Sequence, residues 1–142
     1  MSQSADDAAG VRHAAGRLGL RTGQVVQELG YDDDCDEDLR VSVEALTGSG
    51  IVDEDYDDVV DVVLLWWRDD DGDLVDALVD SLVSLGDGGV VWLLTPKAGR
   101  DGHVEPGDIG DAAPTAGLHP TSSISAAPDW SGTRLATRRA GR

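Results

Sequence analysis

A chain of 142 residues with one cysteine and a formal net charge of −17 can bury one core, cannot form an internal disulfide and repels phosphate backbones, so nucleic acid is not an expected partner. Residues 28–87 hold 21 of the 28 acidic residues but only Arg40 and Arg68 among the eleven Lys and Arg, so the charge is regional. No run of about 18 apolar residues could span a bilayer, and the opening "MSQSADDAAGVRHAAG" has no apolar stretch of a signal peptide, so a cytoplasmic location is expected.

Residues 1–15 are small and polar and are expected to be a disordered arm. In "TGQVVQELG" (Thr22–Gly30) a short apolar core bounded by glycines predicts the first strand. "YDDDCDED" is an acidic loop that runs into a helix. Asp36 or a neighbour can cap it, and acids suit the positive end of the helix dipole. Leu39, Val43 and Leu46 recur at helical spacing, and Gly48 supplies the stop. "VVDVVLLWW" is nearly continuous and β-branched, the mark of a strand covered on both faces. Leu74, Leu78, Leu82 and Leu85 then form one stripe, with Val75 and Val79 beside it. Asp73, Asp76, Asp80, Ser84 and Asp87 form the wet stripe of the same helix, which Gly86 is expected to end. "VVWLLTP" is a second buried strand, stopped by Pro96.

A strand, a helix and a strand with short turns make a right-handed crossover, which needs a parallel sheet. After the loop "AGRDGHVEPGD", Ile109, Ala112, Ala113 and Ala116 share one face, with Gly110 and Pro114 weakening the helix they imply. "PTSSISAA" and "WSGTRLATR" read as a closing antiparallel hairpin joined through Pro128 and Asp129. The expected fold is therefore α/β, a small Rossmann-like three-layer sandwich over residues 16–137, with a mostly parallel sheet and a C-terminal antiparallel hairpin. Residues 138–142 form a basic tail.

This element order, with "GDGG" (Gly86–Gly89) before the third strand, resembles the C-terminal half of class I methyltransferase-like Rossmann folds. The words "GQVVQELGYDDD", "LLWWRD", "WLLTPK" and "DWSGTRL" further resemble an uncharacterised actinobacterial family, one of the domains of unknown function. The resemblance covers residues 17 to 137. It implies a reduced methyltransferase-like fold and no transferable activity.

In an open parallel sheet, ligands bind beyond the carboxyl ends of the strands. Glu28 and Gly30 follow the first strand, Trp67 and Arg68 the second, and Thr95 and Lys97 the third, so these six are the ligand-binding candidates. Trp66 and Trp67 fall on opposite faces by strand alternation, and two tryptophans packed under helices are the plainer reading of that pair.

An S-adenosylmethionine enzyme needs a glycine-rich first turn. Here "ELGYDDD" has one glycine followed by acids, and the strand that normally supplies a ribose-binding acid is missing. A receiver domain needs an Asp where Trp66 and Trp67 stand. "DDDGD" resembles a calcium loop, but counting from Gly72 as sixth position puts Trp67 first and Leu78 last. Cys35 lies among acids that raise its pKa and make it a poor nucleophile. His13, His103 and His119 form no triad with Ser131 and Asp129. No catalytic residue, metal site or cofactor is therefore expected.

The reading is a non-catalytic binding or regulatory module. An acidic face of Asp32, Asp33, Asp34, Asp36, Asp38, Asp53, Glu54 and Asp55 would meet a basic protein partner. The alternative is a binder of a nucleotide-like ligand or S-adenosylmethionine, or a degenerate methyltransferase.

Overall fold

A computed structural model describes residues 15–137. The expected arm (all but Ala15), His13 and the basic tail lie outside the described residues. Ala15 itself is fully buried, and its amide donates to Ser42 Oγ at 2.7 Å.

Five strands form one sheet in the order β1-β2-β3-β5-β4. The parallel part is β1 (Val26–Leu29), β2 (Val60–Trp66) and β3 (Leu85–Pro96). β5 (Trp130–Thr137) runs antiparallel between β3 and β4 (Leu118–Ala127). Val63 stands opposite Val91 and Leu65 opposite Leu93, so the two apolar runs lie side by side and point the same way, as their β-branched composition requires.

Both faces of the sheet are covered, which explains why these strands are apolar throughout and do not alternate. On one face Val62, Leu64, Trp66, Trp92 and Leu94 pack under Leu39 and Val43 of helix α1 (Glu37–Thr47) and under Leu18. On the other, Val63, Leu65, Val91, Leu93 and Leu135 pack under Leu78 of α2 (Leu74–Ser81) and Ile109 and Ala113 of α3 (Pro106–Thr115). Burying each such Leu or Val stabilises by about 1.5–3 kcal/mol relative to leaving it exposed.

The elements end where local chemistry ends them. Asp36 caps α1, its carboxylate accepting from the Leu39 amide at 2.8 Å, and Gly48 closes it in the left-handed region at φ 81°. Two boundaries differ from the sequence expectation. α2 stops at Ser81, before Gly86, because the Val60 amide takes the Ser84 carbonyl and draws residues from Leu85 onward into β3. Pro114 lies inside α3, but at its penultimate residue, so the ring removes a hydrogen bond only in the last turn.

Candidate functional site

β1 delivers Glu28 to the carboxyl edge of the sheet, where its side chain is buried and fully engaged. Arg40 of α1 clamps it with two bonds, Nε at 2.7 Å and NH2 at 2.9 Å, and Trp66 Nε1 donates to the same carboxylate at 2.9 Å. The Glu28 carboxylate is the main reason that the Arg40 pKa lies above its ordinary value. Three elements, β1, α1 and β2, are thereby tied at one point.

Arg68, one residue past Trp67, makes the second knot. Its guanidinium donates to the Asp34 carboxylate, to the Gly30 carbonyl at 2.8 Å, to the Trp66 carbonyl at 3.3 Å and to Asp71 at 3.3 Å. It also lies 5.3 Å over the Trp130 ring, which meets Trp66 edge-on at a centroid distance of 4.8 Å. Burial alone would lower the Arg68 pKa, but Asp34 and its neighbours outweigh burial and hold it raised. In return, the hydrogen bond from Arg68 holds the Asp34 carboxyl below the usual carboxylate range.

Gly30 is at φ 78°, and a Cβ there would stand 2.3 Å from the Trp66 carbonyl oxygen, so the first turn is pressed against the end of β2. Cys35 lies against Arg68 at 3.3 Å, and burial pushes its thiol up to about 11. The direction agrees with the sequence expectation, but the main cause is loss of solvent rather than the neighbouring acids.

Beside these knots a hollow of about 1010 Å³ opens at the carboxyl ends of β1 and β2. Trp67 and Tyr56 line it, Asp32, Glu54, Asp55, Asp57, Asp71 and Asp80 supply its acids, and among the described residues Arg68, already paired with Asp34 and Asp71, is the one cation in its lining. One wall is a segment that the sequence left unassigned. Val52 bridges Gln27 in parallel on the free edge of β1, with Val52 N to Val26 O and Glu28 N to Val52 O both at 2.9 Å. No strand forms there, as expected, but this one-residue bridge is a stub of pairing on that edge, and Asp53, Glu54 and Asp55 follow it.

Thr95 and Lys97 do not join this hollow. Thr95 lines a second cavity of about 330 Å³ between the end of β3 and the closing hairpin, and Lys97, outside that lining, bonds to Ser125 within it. Trp66 and Trp67 are both buried, on opposite faces. Of the expected acidic face, Asp34 is held by Arg68 and Asp36 by the cap of α1. Asp32, Asp33, Asp38, Asp53, Glu54 and Asp55 are exposed.

Sequence reasoning placed the segment "DEDYDD", with Tyr56 and Asp57, on the acidic face, but read Asp80 only as part of the wet stripe of a helix and did not bring it to the hollow. Its signal was position at one end of the sheet, which needs the strand order. Among the described residues no group of three His, Cys, Asp or Glu side chains is arranged to hold a metal ion, and no helix is long and apolar enough to cross a membrane.

Residues 15–139 match a family described as "Protein of unknown function (DUF3052)". An uncharacterised protein of Mycobacterium tuberculosis is 53% identical over 121 residues, 85% of this chain and 76% of that one. Among solved structures, the pyocyanin biosynthetic protein PhzM superposes over 90% of this chain with a TM-score of 0.60 at 14% identity, and the chain spans 54% of its length. A SAM-dependent methyltransferase from Aquifex aeolicus gives a TM-score of 0.58 at 12% identity, covering 90% of this chain and 89% of that one. At such identities the likeness is one of fold.

Proposed function

We propose a binding role for this chain, which belongs to the DUF3052 family of proteins of unknown function: it is a non-catalytic module whose acidic hollow receives a basic segment of a partner protein. One observation carries the reading. Both cations of the acidic region, Arg40 and Arg68, are consumed by internal ion pairs, so neither is left to neutralise the rim. Asp32, Glu54, Asp55, Asp57 and Asp80 then face a concave space with Tyr56 in its wall, and a Lys or Arg side chain finds both a charge partner and an aromatic surface there.

The internal knots also argue against cofactor chemistry at this edge. A methyltransferase-like cofactor site needs the backbone of the first turn to approach the ligand. Here Arg68 lies across that turn and occupies the Gly30 carbonyl. Calorimetric titration with an Arg- and Lys-rich peptide tests the reading. Binding should weaken steeply as ionic strength rises, because exposed charges are screened within about 10 Å at 0.1 M salt. A peptide held equally well in high salt counts against it.

A second reading, a binder of S-adenosylmethionine or a nucleotide-like ligand, draws support from the stub. Asp53, Glu54 and Asp55 follow a segment paired in parallel to β1, where a complete sheet of this kind would present its ribose-binding acid. A ligand at 100 times its dissociation constant would raise stability by about 2.7 kcal/mol. Thermal-shift measurement with S-adenosylmethionine and adenosine therefore separates the two readings.

A further inference from the structure

The second cavity has a chemistry of its own. Its floor is a row of hydroxyls set by strand register. Thr95 of β3 pairs with Ser131 of β5, Ser131 with Ser125 of β4, and Thr133 follows two residues along β5 on the same face. Thr95 is 3% and Thr133 8% exposed. Among the described residues neither hydroxyl has a hydrogen-bond partner, although both line the cavity. Among the described residues no fully buried side-chain oxygen or nitrogen lacks a partner, so these two hydroxyls open onto the cavity, where a bound group can meet them.

A hydroxyl both donates and accepts, so the floor alone does not select a charge. Lys97 does. It is the only lysine of the chain, and among the described residues its ammonium has no carboxylate within salt-bridge distance. Its Nζ bonds instead to Oγ of Ser125, a lining residue of the cavity, at 2.6 Å. The nearby Arg100 is engaged with Asp129 at 3.2 Å, and the His103 ring contacts Glu105 at 3.4 Å and the Pro96 carbonyl at 2.9 Å. The carboxylates nearest the entrance of α3, Glu105 and Asp108, are exposed, where water and salt screen them.

We propose that this cavity binds the phosphate group of a small phosphomonoester, with Lys97 as the charge partner and Thr95, Ser131 and Thr133 as hydroxyl donors. A phosphomonoester carries up to two negative charges and three strong acceptor oxygens, against the single charge of a carboxylate, so it gains more from Lys97 and the three hydroxyls. The volume, about 330 Å³, leaves room for a compact organic body beyond the phosphate. The site is independent of the acidic hollow, uses none of the residues that line it, and stands or falls separately.

Heteronuclear NMR titration of the full chain with inorganic phosphate, and in parallel with acetate, tests it. Phosphate should give saturable shifts at Thr95, Ser125, Ser131 and Thr133 at millimolar concentration. Acetate should bind several-fold more weakly. Lys97→Met should weaken phosphate about tenfold with the spectrum otherwise intact, the loss expected of one charge-assisted contact. Thr133→Val, close in shape, should weaken it by a smaller factor. No saturable shift with phosphate, equal affinity for acetate, or phosphate binding unchanged in Lys97→Met would each overturn the assignment.

Discussion

Arg68 is the residue on which the carboxyl edge of the sheet depends. Its side chain is 11% exposed and links the turn after β1, the end of β2 and the loop before α2. Arg68→Met keeps the stem and removes the guanidinium, leaving the Gly30 and Trp66 carbonyls and the Asp34 carboxylate without their donor. Urea unfolding should show a loss of about 3 kcal/mol, and Arg68→Lys should not restore it, because an ammonium cannot span those acceptors at once. The pKa direction at Asp34 gives a linked test. Its folded pKa is lowered, so its contribution is fully present above the ordinary carboxylate range and is lost as pH falls through the folded value. Acid unfolding of Asp34→Asn should therefore have a shallower pH slope below about pH 4 than the parent chain. An unchanged slope would place the acid sensitivity elsewhere. The sequence placed Arg68 at the functional edge, but its partners lie 34 and 38 residues away and could not be read from spacing.

At the scale of elements, the legible features were those set by neighbours in the chain. The 3.6-residue recurrence of Leu39 and Val43, the Asp36 cap and the Gly48 stop all stand as local chemistry dictates. Asp36→Ala should cost about 1 kcal/mol in thermal or urea unfolding, and Asp36→Asn much less, since either side chain can accept from the Leu39 amide. The features that escaped were set across the sheet. The early end of α2 follows from the pairing of Val60 with Leu85, and the stub at Val52 from the exposed edge of β1. Neither Val52 nor Leu85 carries a local signal that separates it from an ordinary loop or helix residue. The hydroxyl row at Thr95, Ser131 and Thr133 is similar. Its period-two spacing on β5 is visible in "WSGTRLAT", but its meeting with Thr95 requires the register.

For the whole molecule, the fold was legible because two apolar runs flanking an amphipathic helix admit few arrangements, and a parallel crossover is the favoured one. The site was less so. Six candidate residues at the ends of three strands were expected to converge, yet Glu28, Gly30, Trp67 and Arg68 stand apart from Thr95 and Lys97. Glu28 is taken up by Arg40 and Trp66, and Arg68 by Asp34 and Asp71, whereas Thr95 stands opposite Ser131 of the closing hairpin and Lys97 bonds to Ser125 there. What remains open at that edge is acidic.

The most direct test compares two charge-neutralised variants of the full chain for affinity to one Arg- and Lys-rich peptide at fixed ionic strength. One variant carries Glu54→Gln, Asp55→Asn and Asp57→Asn in the hollow, and the other Asp87→Asn, Asp101→Asn and Asp111→Asn outside its lining. Both change net charge equally, so a general attraction affects them alike. The account predicts a loss of about tenfold or more for the first and less than about twofold for the second. Equal losses in the two variants would contradict it.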